Sequence, residues 1–457
     1  MSIFKNLSQL TGHGSAGLRR DALEIASAGV ERVIPYQSVR ELVSLENGIL
    51  RIGELSFDLA GIRSLYVVGA GKGAFPIAQA LDEILGDRIS EGFVIVKEGE
   101  KRRLEHIGIF ESSHPIPDER SLQGAERIER ILEKAGEGDL VLMAVTGGSS
   151  ALMNAPVPGV SLADVQAVNR LLLNCGASIG KINAVRKHID RLKGGGMVRL
   201  AQPAQTVTIT FDTAPPDMPW PDLCLPDPST FSDAVRVLRE YRLWDLCPDS
   251  IRQHMLRGVE GEVPETVKSL AGMRQHLFSV ADPGLACAAA AERALALGYE
   301  PHILSTTMEG EAKDLGIFMA GIADEILTRG RPFKAPCALI TGGETTVTIT
   351  GTAKGGGPNQ ETALGFALKI RSDGPYVFLS VDTDGTDGPC DAAGGIADAS
   401  TVRKAREGVV DLQRALLEHD SMDTLDRLED LLLTGPTGTN VMNLRILLIG
   451  KEEGEAP

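Results

Sequence analysis

Cysteine is sparse: Cys175, Cys224, Cys247, Cys287, Cys337 and Cys390 are the only six in 457 residues, far apart and without a CxxC pair. That excludes a disulfide framework and a structural zinc site and suits a reduced interior. Positive charge is also short. The 46 Lys and Arg stand against 62 Asp and Glu, and the net charge of −16 repels nucleic acid and anionic lipid. An acidic small substrate therefore has to be drawn in by a local basic pocket. No uncharged run is long enough to span a bilayer, and the opening "MSIFKNLSQLTGHGSAG" lacks a secretory apolar core, so a cytoplasmic protein without a membrane role is expected. "TGG" occurs at 146–148 and at 341–343, but no fixed period links the two, which excludes a repeat protein.

What is present is length and alternation. The chain is long for one core, so two domains are expected. Apolar β-branched runs alternate with helical patterns, which predicts an α/β fold with mainly parallel sheets crossed by helices. "SLYVVGA", "GFVIVK" and "DLVLMAV" read as strands, and helices are predicted over 16–30, 74–85, 161–177 and 182–193. The proline-dense stretch 213–231 has to be an irregular loop, because proline fixes φ and removes a donor. Past residue 280 the pattern resumes with a helix over 284–297, the strand "PHILSTT" and a helix over 311–328. The boundary falls near 275–285, dividing the chain into 1–280 and 281–457.

Several segments carry chemistry. In "VVGAGKGAFPIAQAL", Gly69-x-Gly71-x-x-Ala74 satisfies the loose dinucleotide fingerprint, in which glycines let amides approach a pyrophosphate at a helix start. The ribose acid of that reading would be Glu98, which follows Lys97. A phosphate-binding P-loop is excluded, since Tyr66 and Gly73 occupy its first glycine and its hydroxyl position. The other reading of Lys72 is a tight corner with a solvated lysine. "TGGSSAL" places Gly148, Ser149 and Ser150 at a helix start, as an anion seat or as a simple cap. "KINAVRKHIDRLKGGG" gathers five cations, with Asn183, Arg186 and Asp190 on one helical face, as a carboxylate or phosphate clamp or as a solvated face. "GGETTVTITGTAKGGGPNQE" carries Glu344, Asn359 and Glu361 among close glycines, and "TGPTGTNVMNLR" brings Asn440. "VDTDGTDGPCDAAG" packs Asp382, Asp384, Asp387 and Asp391. It lacks the glutamate of a calcium loop, Ala393 standing there, and suits magnesium with phosphate oxygens better.

Together "GAGKGA", "SSHPIPDE", "TGGSSALMNAP", "INAVRKHIDRLKGGG", "PDPSTF", "EGEAKDLG", "GGETTVT", "GGGPNQE", "DGTDGPCDAAGG" and "LLTGPTGTNVMNLR" occur in this order. The chain thereby resembles the class II glycerate kinases, the glycerate 2-kinase family with a MOFRL domain, over nearly its whole length. The resemblance implies a Rossmann-like N-terminal domain, a smaller α/β MOFRL domain, and an active site in the cleft between them. It implies transfer of the γ-phosphoryl of ATP, with Mg2+, to a hydroxyl of D-glycerate or a related hydroxy acid. Lys72 then looks like the catalytic lysine, with Arg186 and Asp212 beside it. Gly69, Gly71, Gly148, Ser149, Ser150, Glu344, Asn359 and Glu361 would contact the nucleotide, Asn183, Lys193, His114 and Asn440 the substrate, and Asp384 and Asp387 the metal. A homodimer is an open possibility, and some members carry an older label, hydroxypyruvate reductase, so an NAD(P)-dependent reductase or a non-catalytic binding paralogue are the alternatives.

Two departures bear on substrate. Where members usually read Ser-Asp-Val-x-Gly-Asp and then Ala-Ser-Gly-Pro-Thr, this chain keeps Asp212 and Asp217 but places Trp220, Pro221, Asp222, Leu223 and Cys224 at the second motif. Pro358 stands where many have an arginine. Both put the substrate in doubt more than the fold and leave two readings open, D-glycerate itself or a different and larger hydroxy acid.

Overall fold

The computed structural model describes residues 2–114, 116–211, 220–350 and 352–450. They form two units, one of Pro35–Val280 and one built from Met1–Ile34 together with Ala281–Pro457.

The first unit begins with an antiparallel meander of β1 (Val43–Glu46), β2 (Ile49–Ile52) and β3 (Leu55–Asp58). Its main sheet comprises β4 (Leu65–Ala70), β5 (Glu91–Lys97), β6 (Ile107–Ser112), β7 (Leu140–Val145), β8 (Gln205–Thr210) and β9 (Gln275–Ser279). The spatial order is β6-β5-β4-β7-β8-β9, and every neighbouring pair is parallel. Each residue of β4 and β7 is buried, as expected for central strands covered on both faces. The helix Ala74–Leu85 buries Phe75, Ile77, Ala78, Leu81 and Leu85 at helical spacing, each large side chain contributing about 1.5–3 kcal/mol. The helix predicted over 182–193 is Ile179–Lys187. The chain leaves it at His188, and Asp190 instead forms a bridge with Pro156.

The second unit holds β10 (Glu300–Ser305), β11 (Cys337–Gly343), β12 (Tyr376–Asp382), β13 (Gly394–Asp398), β14 (Leu431–Leu432) and β15 (Asn443–Ile449). Their order is β10-β11-β15-β12-β13-β14, with β10 and β11 parallel and the other pairs antiparallel. Successive residues of β12 serve opposite faces. Val377, Leu379 and Val381 pack with Leu23, Ile25 and Val30 of the helix Ala16–Arg32, whereas Tyr376 and Phe378 pack with Met319 and Phe366. The division into 1–280 and 281–457 is corrected accordingly: the first 34 residues complete the second unit. Arg19 ties them there, its buried guanidinium donating to Asp398 and Asp430 at 2.7 Å each. Among the described residues no helix is long and apolar enough to cross a membrane.

Candidate active site

In a doubly wound parallel sheet, ligands bind outside the C-terminal ends of the strands where the order reverses. Here that point lies between β4 and β7. The two loops leaving these strands are bonded to each other: the Lys72 amide donates to the Gly147 carbonyl at 2.8 Å and the Gly73 amide to the Thr146 hydroxyl at 3.0 Å. The Gly71 amide donates to the carbonyl of Ile95 at 3.1 Å. A Cβ on Gly69 would stand 2.1 Å from the Ala144 carbonyl oxygen, and one on Gly71 2.0 Å from the Thr146 hydroxyl. Both glycines are thus required by the close approach of the neighbouring strand and loop. With those amides engaged and Glu98 paired to Arg120 at 3.0 Å, the dinucleotide reading loses both its pyrophosphate cradle and its ribose acid.

The corner instead presents side chains. Lys72 is exposed, and Gly148 adopts φ of 87°, so close that a Cβ there would lie 2.9 Å from Lys72 Cγ and 3.2 Å from His114 Cδ2. Burial first, then Lys72 and Lys97, hold the His114 pKa below its ordinary value, leaving a neutral imidazole beside two cations. Ser149 is fully buried and its hydroxyl has no partner among the described residues. The corner is electropositive, and the buried Ser149 hydroxyl that follows Gly148 is left unpaired among the described residues.

Farther along, Ser150, Asn154, Asn169, Arg186, Asp190 and Lys193 line one cavity of about 10 Å³, room for roughly one water. Arg186 donates to Asn169 at 2.8 Å, and its burial lowers its pKa while Asp222 opposes that shift. Asn183 is buried on the same helix. Lys193 donates to Asp190 at 2.7 Å, Lys187 lies 3.3 Å from Asp227, Lys181 2.6 Å from Glu240, and Arg191 2.6 Å from Glu129. The helical face of Asn183, Arg186 and Asp190 expected of this segment is therefore corrected: the helix ends before Asp190, and Lys181, Lys187, Arg191 and Lys193 turn to separate acids. Asp212 lies outside the described residues.

In the second unit a group of acids follows β11 and β12. Asp384 accepts from Asn440 at 3.1 Å and from the Thr386 amide at 2.8 Å. Asp387 is fully buried: one oxygen accepts from the Asn359 amide at 2.9 Å and its side chain at 3.0 Å, the other from the Gln360 amide at 2.8 Å. Asp387 therefore anchors the start of the helix Pro358–Lys369, which departs from its expected place as a metal ligand. Burial pushes Glu344 up against the pull of Arg445, Asp382 well above the usual carboxylate range with help from Asp384, and Asp387 up to about 6. Arg445, wholly buried on β15, donates to Asn443 at 2.6 Å and Thr345 at 2.7 Å, and burial pushes it down to about 10. Glu361 is engaged elsewhere, accepting from His419 at 2.8 Å, and none of its bonds reaches the Asp384 group. Among the described residues no three His, Cys, Asp or Glu side chains are set to hold a metal ion. What remains fits a hard cation that takes one carboxylate, Asp384, and the rest of its shell from phosphate and water.

Comparison with known proteins extends this geometry. The model of DUF4147, a domain of unknown function, matches residues 21–256, and that of the MOFRL family matches 337–443. A glycerate 2-kinase of Pyrococcus horikoshii is 40% identical over 440 residues, 96% of this chain and 98% of its own. A D-glycerate 2-kinase of Thermotoga maritima is 35% identical over 94% of this chain and 98% of its own. The chain belongs to the glycerate 2-kinase family. The crystal structure of a Thermotoga maritima glycerate kinase superposes with a TM-score of 0.84 at 34% identity, covering 95% of this chain and 99% of that one. Kinase relatives imply a nucleotide as co-substrate.

Within this glycerate 2-kinase fold, sequence reasoning passed over Lys97, Asp222 and Arg445. Lys97 stood out only as an interruption before Glu98, and Asp222 only as a foreign residue in its loop. Arg445 had a plain signal: one charge inside the apolar run of a central strand has to be paired within the protein.

Proposed function

We propose that this chain transfers the γ-phosphoryl group of ATP to a hydroxyl of D-glycerate or a related hydroxy acid, with Mg2+. The observation that carries the reading is Lys72 at the β4–β7 reversal point, with His114 across Gly148 from it, in a chain matched over nearly its full length by glycerate 2-kinases. Phosphoryl transfer asks for positioning and fixed positive charge more than for a nucleophile, and the corner supplies those.

Lys72 faces the charge that develops on the transferred group, and Ser149 donates to one of its oxygens. His114, neutral, orients without adding charge. Arg186, Asn183, Ser150 and Lys193 hold the acceptor. Asp384 is the residue that would hold Mg2+, steadied by Asn440, while Glu344 and Asn359 line the same acid group. The metal, when bound, neutralises phosphate charge. The acceptor oxygen forms the new P–O bond, ADP departs with the old one, and the acceptor proton passes to solvent or a nearby base.

The test is ADP release in a coupled assay with ATP, MgCl2 and D-glycerate or other hydroxy acids. ADP release dependent on one of these acids is expected. NADH consumption with hydroxypyruvate and no ADP release would overturn the reading.

A further inference from the structure

Lys97 is the last residue of β5, and the sheet places it at the corner that holds Lys72. The register of β5 with β4 ends on Ile95 with Ala70, and the Ile95 carbonyl accepts from the Gly71 amide at 3.1 Å. The turn that carries Lys72 therefore starts against the end of β5, two residues short of Lys97. On its other side Lys97 is paired with Ser112 of β6, and two residues farther on that chain lies His114. A Cβ on Gly148 would touch Lys72 and His114 alike. The ends of β4, β5 and β6 bring Lys72, Lys97 and His114 to one place, and after burial the two lysines are what lowers the His114 pKa.

Both lysines are exposed, and neither has an acid partner among the described residues. The acids closest to Lys97 in the chain and on the next strand are engaged: Glu98 lies 3.0 Å from Arg120, Glu100 lies 2.6 Å from Arg102, and Glu111 accepts from the Gly99 amide at 3.0 Å. The segment 181–193 is the contrast, since its Lys181, Lys187, Arg191 and Lys193 each have a carboxylate. In a chain of net charge −16, two neighbouring lysines without a counter-ion make a patch of fixed double positive charge open to solvent. A terminal phosphoryl group brings about two negative charges at neutral pH, which matches that patch, whereas a carboxylate brings one.

We propose that Lys97 is a second phosphate-binding residue, which together with Lys72 grips the γ-phosphoryl group of the nucleotide from two adjacent strand ends. The proposal rests on the kinase reading above and deepens it. Neighbouring strands lie about 4.8 Å apart, a spacing from which two ammonium groups reach different oxygens of one phosphate. Lys97 holds the group before it moves, so its contribution falls on binding. ADP lacks that group and gains little from it.

The experiment is titration calorimetry with ATP and with ADP, each with MgCl2 and without an acceptor, on the wild type, Lys97→Ala, Lys97→Arg and Lys101→Ala, with melting temperature as the folding control. Lys97→Ala weakens ATP binding roughly 10- to 100-fold and ADP binding by less than about threefold. Lys97→Arg, which keeps the charge, recovers part of the loss. Lys101→Ala, which removes an exposed charge from the same loop, binds both nucleotides as the wild type does. In turnover, Lys97→Ala raises KM for ATP and leaves KM for the acceptor unchanged. Unchanged ATP binding in Lys97→Ala, equal losses on ATP and ADP, or an equal loss in Lys101→Ala overturns the proposal. A raised acceptor KM with ATP binding intact also overturns it and gives Lys97 to the acceptor carboxylate. If the wild type binds neither nucleotide, the kinase reading itself fails, a result separable from the others because it appears before any substitution.

Discussion

Lys72 makes its case as a single side chain. It is exposed and its backbone alone holds the corner together, so removing the side chain should disturb chemistry and spare the fold. Lys72→Ala is expected to lower kcat by about 10²- to 10³-fold with the melting temperature unchanged, as steady-state kinetics and calorimetry would show. Asp387 is the opposite case. Its oxygens serve two amides and a side-chain amide at a helix start, so Asp387→Ala is expected to cost about 1–3 kcal/mol in denaturant unfolding. Its pKa also sets a sign. Raised to about 6 by burial, the carboxyl contributes stability that is full below the ordinary carboxylate range and lost as pH rises through about 6. The stability advantage of the wild type over Asp387→Asn should therefore shrink from pH ~4 to ~6 and then level off. The place of Lys72 in a turn between strand and helix was legible, because glycines flank it between an apolar run and a helical pattern. Asp387 was misplaced because an aspartate reads alike in sequence whether it faces a cation or the amides of a helix.

The secondary elements separate two uses of glycine. At Gly69 the missing side chain lets β4 lie against β7, and at Gly148 it leaves space for Lys72 and His114. Gly69→Ala should accordingly lose about 1–3 kcal/mol of stability with KM for both substrates unchanged in the folded fraction. Strands, their α/β alternation and the helix Ala74–Leu85 were legible, since continuous apolar runs and helical spacing are local properties. The end of the helix at Lys187 was not. What draws the chain off it is the bridge between Asp190 and Pro156, which leaves no mark in the sequence. Once the helix ends there, the neat face of Asn183, Arg186 and Asp190 dissolves, and with it the case for a strongly positive clamp.

At the scale of the whole chain the governing fact is a unit assembled from both ends. Arg19 is buried between two carboxylates, Asp398 held well below the usual range chiefly because its bonds to Arg19 outweigh burial, and Asp430 pushed up by burial. Arg19→Leu leaves two buried acids without their cation and should cost about 3–5 kcal/mol, confined to the unfolding of the unit that contains β10–β15. Differential scanning calorimetry would read this as a shift in the transition that carries that unit. No composition or motif argument could have joined residues 1–34 to 281–457, because the pairing is made by contacts hundreds of positions apart.

That pairing has a temporal side. The helix Ala16–Arg32 leaves the ribosome ahead of the strands it packs on, and Asp398 and Asp430 lie 379 and 411 positions after Arg19. At ~5–20 residues per second, the helix waits roughly 20 to 80 s for its partners, while Pro35–Val280 is already complete and able to fold. For that interval its apolar stripe of Leu23, Ile25, Ala26 and Val30 stands open, a natural client for a chaperone that holds nascent chains.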